Sequence, residues 1–503
     1  MAGQTLYWGE IHTHTGLSDG NGSPEDNFDI AQSHLDFWAM ADHACDEEVF
    51  NLDYRERNPD HEVLNEEWGR VQELCRSHED VGQFIPFLAY EWTNYQYGHH
   101  NVYYLDYDQP IRMPATLPEL YDAVRDVDAL VIPHHSSYPV GICGKNWDFH
   151  DEALTPFVEI YSLHGSSEEP RNIEPLLTAG SWMGPGAAGG SVQDGLARGY
   201  KLGIMASSDS HGDHPGAYDN GLIAAYADEL SRPALWEAFR AKRVYGVTGD
   251  RITLDFSING SPMGTACRCD GKRAIDVSVV AWDKIDRIDI IKNNTLLHSV
   301  VEPTGPEETK RMRFMVEWGW DSRGAHEWSG SVRLSDGRIL QVVPCFRGSV
   351  SSRVGTGVTK MKEASCSWTS RTEKLIGRTL FRHFADGLAF EVECGKNDAV
   401  QIALTSDGLE RTVQTTPAEI LAGAAVAYMA DIPPTNNGAH WHGMETCAKL
   451  KIHQGYPTGQ LTGHLTFEDD ASNSPKGSTD FYYARIIQKN GQRAWSSPVW
   501  VEG

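Results

Sequence analysis

Glu10-Ile-His12-Thr-His14-Thr-Gly-Leu-Ser-Asp19-Gly20 is the stretch on which the reading of this chain turns. It follows the apolar run 6–11, which has the length of a buried strand. In an extended segment, side chains two positions apart share a face. His12 and His14 therefore point the same way, as two ligands of one metal must.

Outward from this stretch, further short apolar runs end on the same residue types. Run 37–41 leads into Asp42-His43, and run 85–89 into Glu91, with Gly98-His99-His100-Asn101 soon after. Run 129–132 leads into Pro133-His134-His135, run 157–161 into His164-Gly165, and run 202–206 into Ser208-Asp209-Ser210-His211. Helix-like stretches lie between them. Segment 24–34 opens after Ser23 with Pro24 in the first helical position, 64–78 is amphipathic, and 117–127 begins Leu117-Pro118-Glu119. Strands alternating with helices imply a parallel sheet or a barrel, in which functional residues gather at the C-terminal strand ends. An isolated His-X-His or Asp-His is ordinarily a cap or a core pair. A series of such features at successive strand ends is different, because burying so many imidazoles and carboxylates without an ion leaves their desolvation uncompensated. His34, His61, His78, His150 and His214 read as surface or packing residues. His440-Trp-His442, which has no carboxylate nearby, and Cys267-Arg-Cys269 read as structural.

After about residue 250 the period changes to two. Segments 252–258, 275–280, 285–291, 390–394 and 480–487 alternate like half-buried antiparallel strands. Asn259-Gly260, Asp336-Gly337, Asp386-Gly387, Asp407-Gly408 and Asn490-Gly491 supply hairpin chemistry. Two domains are expected, 1–250 and 251–503, the second an all-β, sandwich-like unit. The 503-residue length accommodates both.

Charge divides at the same place. The chain carries 70 Asp+Glu against 43 Lys+Arg, a net of −27. Residues 1–250 hold 41 acids and 14 bases, whereas 251–503 hold 29 of each. Fourteen of the 21 histidines precede residue 215, so the chemistry is expected in the first half. This acidity argues against binding nucleic acid, which needs Lys and Arg against phosphates. Nine thinly spread cysteines are no disulfide framework and suit a reducing compartment. Met1-Ala2-Gly3-Gln4 has neither a charged nor an apolar leader region, and no run reaches membrane-span length. A cytoplasmic location without membrane association is expected.

The ordered set His12-Thr-His14, Ser18-Asp19-Gly20, Ala41-Asp42-His43, Glu91, Pro133-His134 and Ser208-Asp209-Ser210-His211 resembles the PHP (polymerase and histidinol phosphatase) superfamily over residues 5 to about 250. The resemblance implies a distorted (β/α)7 barrel with up to three metal ions. One ion would be held by His12, His14 and Asp209 with Glu91 bridging, a second by Glu91, His99 and His134, and a third by Asp19, His43 and His211. Either histidine of the 99–100 and 134–135 pairs is open as the ligand, and many relatives carry His-Pro where this chain has His134-His135. His164 has no secure counterpart in the short members. His135 and His164 are read as outer residues or substitutes, and Asp42 as orienting His43. Tyr482-Tyr-Ala-Arg485, Ala494-Trp-Ser-Ser-Pro-Val-Trp500 and Glu159-Ile-Tyr-Ser-Leu-His-Gly-Ser-Ser-Glu168 are similar to a branch with a β-rich extension that includes aryl carbamate hydrolases.

Imidazole and carboxylate ligands without thiolates suit two or three Zn, Mn or Fe ions. Two neighbouring ions imply an activated water that attacks phosphorus or carbon, with Glu91 at the bridge and His211 or His164 as the acid for the leaving oxygen. No Gly-rich phosphate loop of the nucleotide-binding type is present. Few cations accompany the motifs: Lys145, Arg171, Arg198 and Lys201. Aromatics are interleaved with them, among them Trp38, Trp92, Tyr95, Tyr97, Tyr138, Trp147 and Trp182. A small, partly apolar ester-type substrate is expected, a carbamate or carboxylic ester ahead of a phosphoester, with His135, Tyr138, Lys145, Trp92 and Arg171 as candidate contacts. The alternatives are an enzyme acting on a glycan, or a metal-binding protein without activity. The β-rich half would then be a carbohydrate-binding surface, a lid or a surface for homo-oligomer formation.

Overall fold

The first strand, β1 (Thr5–Thr13), is buried from Trp8 to its end, so it lies inside its sheet rather than at an edge. The computed structural model describes residues 3–44, 63–170, 183–303, 305, 310–321, 324–373, 385–430, 446–474 and 477–503. Helix α1 (Pro24–His34) follows. Its cap, Ser23, accepts a hydrogen bond from the Asp26 amide, and Glu25 and Asp26 favour the positive end of the helix dipole. Phe28 and Ala31 turn its apolar face inward. Strand β2 (Phe37–Met40) then pairs parallel to β1.

Strand β3 (His43–Ala44) and strand β4 (Ile85–Trp92) are parallel neighbours, with His43 directly opposite Glu91. Helix α2 (Val63–His78) packs against β4. Strands β5 (His100–Tyr104) and β6 (Ala129–Pro133) extend the sheet antiparallel, with helix α3 (Leu117–Val124) between them. Strands β7 (Phe157–Ser162) and β9 (Gly203–Ala206) pair parallel, and the short β8 (Gly165–Ser166) lies antiparallel to β7. On the other side of β1, β10 (Leu222–Ala227) and β11 (Val244–Val247) run antiparallel.

All six strands expected before residue 250 are present, and so are the three helices. The sheet is mixed rather than purely parallel, however, because β5, β10 and β11 enter it antiparallel. Backbone hydrogen bonds lock the strand ends together. The Asp209 amide donates to His12 O at 2.9 Å, His14 N to Ser210 O at 3.0 Å, Leu163 N to Ser208 O at 2.9 Å and Glu91 N to Asp42 O at 2.9 Å.

Beyond β11 the chain is strand-rich. Two antiparallel sheets enclose a core of Trp318, Trp328, Trp368, Phe390 and Leu404, in which the Trp318 and Trp368 rings lie 4.9 Å apart. This half is not wholly β: a short helix, Val350–Arg353, and another, Pro417–Ala422, interrupt it. Asn259-Gly260 and Asp407-Gly408 make the expected left-handed turns, whereas Asp386-Gly387 lies within the strand Ala385–Glu393. The first sheet also crosses residue 250. Strand β11 pairs with Arg493–Ser496, which pairs with Thr479–Gln488. No described helix is long and apolar enough to cross a membrane, and the described cysteines are free.

Candidate metal centre

The ends of β1, β2, β4, β6, β7 and β9 deliver a cluster of buried imidazoles and carboxylates. His12, His14, Glu91 and Asp209 form one group of donor atoms, His14, Asp19, His43 and His211 a second, and His99, His134 and His135 a third. His12 Nε2 lies 3.5 Å from Glu91 Oε2 and 3.4 Å from Asp209 Oδ1, and His14 Nε2 lies 3.3 Å from each of those oxygens. His134 Nε2 is 3.5 Å from Glu91 Oε2, and His211 Nε2 is 3.2 Å from Asp19 Oδ1. Donor atoms bonded to one ion at about 2.1 Å in a tetrahedron sit roughly 3.4 Å apart, longer than the 2.7–3.0 Å of charge-assisted hydrogen bonds.

The imidazoles are held from behind. His12 Nδ1 is 2.9 Å from Glu159 Oε2, His43 Nδ1 is 2.6 Å from Thr93 Oγ1, and His211 Nδ1 is 3.0 Å from Asp209 O. Each contact occupies Nδ1 and leaves Nε2 facing the common space. His12 Nε2, His14 Nε2, Glu91 Oε2 and Asp209 Oδ2 are buried yet make no hydrogen bond. Unsatisfied buried donors and acceptors are costly, so this set fits divalent ions. Asp209 (φ 52°) and His135 (φ 32°) both adopt the left-handed conformation that non-glycine residues avoid, a strain typical of functional sites.

The carboxylates and rings shift one another strongly: against the effect of burial, Asp209 and Glu159 hold His12 well above the usual imidazole range, and Asp209 and Glu91 raise His14. Burial alone would raise Glu91, but the facing His43, His134 and His99 hold it well below the usual carboxylate range. Burial, reinforced by His12, pushes His134 down to about 3, and burial likewise holds His135 low. Both rings are therefore neutral, with a free lone pair. Glu159 is pushed up to about 7 by burial against the pull of His12.

The structure separates the paired histidines. His99 joins the cluster, with Nδ1 2.7 Å from Glu91 Oε1. His100 faces away, its Nδ1 on Gly98 O at 2.8 Å and its Nε2 3.0 Å from Lys145 Nζ. His134 and His135 are both in the cluster. His164 lies alongside it, with Nε2 3.2 Å from Asp209 Oδ2 and Nδ1 2.9 Å from the Tyr138 hydroxyl.

Asp42, expected to orient His43, accepts from Thr15 N at 2.7 Å, Ser18 Oγ at 2.6 Å and Thr15 Oγ1 at 2.9 Å, and so closes the turn before Asp19. Lys145 is fully buried with its amine on Phe149 O and His100, in the wall behind the cluster. Trp92 is buried too, and its indole N–H donates to Pro114 O. Arg198 pairs with Asp148 and Lys201 with Glu502. Arg171, Trp182, His61, His440 and His442 lie outside the described residues. Glu159 and Thr93 were not singled out as holders of ligands. The one available signal for Glu159 was a lone carboxylate within an apolar run.

No protein-family model matches the chain. It is 28% identical over 202 residues to an uncharacterised protein of Chlamydia pneumoniae, and 30% identical over 198 residues to one of Chlamydia muridarum (strain MoPn / Nigg). Each match covers 36% of this chain and 31% of the relative, so the matched part spans about a third of the curated relatives' length. Among solved structures, the chain is similar to a two-domain protein containing a predicted PHP-like metal-dependent phosphoesterase from Bacteroides vulgatus ATCC 8482. That likeness has 11% identity and a TM-score of 0.34, over 82% of this chain and 96% of that one.

Proposed function

We propose that the chain is a multinuclear metal-dependent hydrolase of the PHP type that cleaves an ester-type bond of a small molecule. In this reading, residues 1–250 form a distorted (β/α)7 barrel and 251–503 a β-rich accessory unit. The observation that carries it is the meeting of His12, His14, Glu91 and Asp209 at ion-sharing distances, with His12 Nε2, His14 Nε2 and Glu91 Oε2 buried and making no hydrogen bond.

His12, His14, Glu91 and Asp209 would hold one ion. Glu91, His99 and His134 would hold a second, with His135 beside them, and Asp19, His43 and His211 a third with His14 adjacent. When bound, such ions supply Lewis acidity and bring the pKa of water towards neutrality. The protein's own residues do the rest. Glu159 and Thr93 fix the rings of His12 and His43. His164, whose side chain is 12% exposed and which sits between Tyr138 and Asp209, is placed to hold a proton at Nε2 for a leaving oxygen; His211 is the other candidate only where it holds no ion.

The surroundings favour a carbamate or carboxylic ester over a phosphoester. The described first-half cations nearest the motifs are engaged elsewhere, so they offer no clamp for a phosphoryl group. Tyr95 flanks the cluster, its ring 5.7 Å from His99, while the buried Tyr138 supports His164 through its hydroxyl. A ring placed like that of Tyr95 suits an aryl group. The test compares phenol release from an aryl N-methylcarbamate and an aryl phosphate after reconstitution with Zn or Mn. Faster carbamate turnover, abolished by chelation and restored by the ion, is the expected result. Faster phosphate turnover would overturn the substrate preference, and turnover of neither would overturn the ester reading.

A further inference from the structure

Residues 346–353 of the second half approach the loops that carry Asp19 and His211. After the strand Arg338–Cys345, residues Phe346, Arg347 and Gly348 lead into the short helix Val350–Arg353. This segment lies between two first-half loops. One, residues 16–22, carries Asp19 and is closed by a hydrogen bond from Gly16 N to Gly22 O at 2.9 Å. The other, residues 210–220, carries His211.

The contacts are close and directional. Gly22 has φ +79°, and a methyl group there would fall 2.4 Å from Val350 Cγ1, so the loop backbone rests directly on this side chain. Val350 itself is 1% exposed. On the other side, His214 N donates to Gly348 O and Tyr218 N to Phe346 O, each at 2.9 Å. The Arg347 guanidinium donates to Asp219 Oδ2 at 3.0 Å and lies 3.3 Å from Glu317 Oε1, which anchors the segment to both halves at once. Arg353 is 2.8 Å from Asp386 Oδ2, which fixes the helix to its own sheet. Asp19 is three residues from Gly22, and His211 is three residues from His214. The two side chains that approach to 3.2 Å thus sit on loops braced by one foreign segment.

We propose that residues 346–353 are a positioning element of the metal centre: Val350 against Gly22, with the Phe346 and Gly348 carbonyls against Tyr218 and His214, holds Asp19 and His211 at the spacing their ion requires. This rests on the reading of Asp19, His43 and His211 as ligands. The β-rich half then governs occupancy of one ion without contributing a ligand to it. The group of His99, His134 and His135 shares no residue with the two loops, whereas the group of His12, His14, Glu91 and Asp209 adjoins them through Asp209 and His14.

The experiment measures Zn content and stepwise affinity in metal-stripped full-length protein for wild type, Val350→Ala, Gly22→Ala, the double variant and His43→Ala. Val350→Ala is expected to weaken the ion at Asp19, His43 and His211 by about tenfold or more, the scale on which supports of ligands act, while leaving the ion at His99 and His134 unchanged. Gly22→Ala perturbs the same contact from the opposite side and should weaken the same ion. In the double variant the β-carbon at position 350 still lies 2.7 Å from the added methyl and the φ of +79° is unchanged, so affinity should be no better than in Gly22→Ala, and recovery would overturn the contact as the cause. Melting of the metal-free proteins reports folding. Unchanged affinity in folded Val350→Ala and Gly22→Ala overturns the proposal while the ligand reading stands. A wild type with no ion sensitive to His43→Ala overturns the ligand reading, and the proposal with it.

Discussion

At the residue scale, the cluster depends on carboxylates that do unlike jobs. Glu91 Oε2 lies 3.5 Å from both His12 Nε2 and His134 Nε2, so under the proposed bridge Glu91→Ala should lower turnover and metal content together, turnover by about a hundredfold or more. Undiminished turnover with full metal content would remove Glu91 from the bridge. Glu159 touches only the back of His12. Replacing it with Gln keeps the shape but offers a neutral acceptor. Metal affinity is expected to fall by about 10- to 100-fold with little change in the melting of the metal-free protein, and titration with a chromophoric Zn chelator reads the difference. These two residues also mark how far the sequence could be read. Glu91 was visible because it ends an apolar run like its neighbours. Glu159 was not, because its partner lies 147 positions earlier and only folding brings them together. Lys145 misled for a related reason: a lone lysine among polar residues looks solvent-exposed, yet its aliphatic stem and two acceptors draw it inside.

At the scale of elements, the turn between β1 and α1 is tied by Asp42, which satisfies one amide and two hydroxyls. Asp42→Ala removes all three and is expected to cost about 2–4 kcal/mol in urea unfolding of the metal-free protein. If stability holds, the turn is supported by other contacts. Elements with strong local signals were legible in advance. Helix α1 announced itself by Ser23-Pro24 and by acids in its first turn, and it spans the expected residues. Strand β5 did not, because His100-Asn-Val-Tyr-Tyr104 opens with polar residues whose burial comes from the sheet around it. Strand β10, rich in alanine, has weak intrinsic preference for extended structure and is held by β1 and β11 on either side. Asp386-Gly387 has hairpin chemistry but sits in a strand, where Asp386 is drawn to Arg353 and the backbone of Arg347. Tertiary partners outweighed the turn propensity.

For the whole molecule, pH enters through a half-buried histidine outside the three donor groups. His34 closes α1, with Nδ1 on Ile30 O at 2.9 Å, and burial together with the nearby Arg251 pushes it down to about 4. An unfolded chain protonates this ring near 6.5, so its contribution is complete above that pH and is lost as pH falls from 6.5 towards 4. Between pH 7 and 5 the metal-free protein should lose about 2 kcal/mol through this group, a loss that His34→Gln should abolish in paired urea titrations. An equal loss in the variant would assign the acid sensitivity elsewhere. At this scale the split in charge and period near residue 250 was plain in the sequence, but the joining of the halves was not, because sheet pairing leaves no local trace. Strand β11 needs Arg493–Ser496 as its neighbour, and Ser497 donates to Val244 O across 253 positions. A ribosome making this chain from its N-terminus therefore emits every ligand long before the strand that covers the sheet's open edge. During that interval the half-made protein exposes an unpaired β-edge beside a cluster of unshielded carboxylates, and a chaperone or early metal capture would have its greatest effect there.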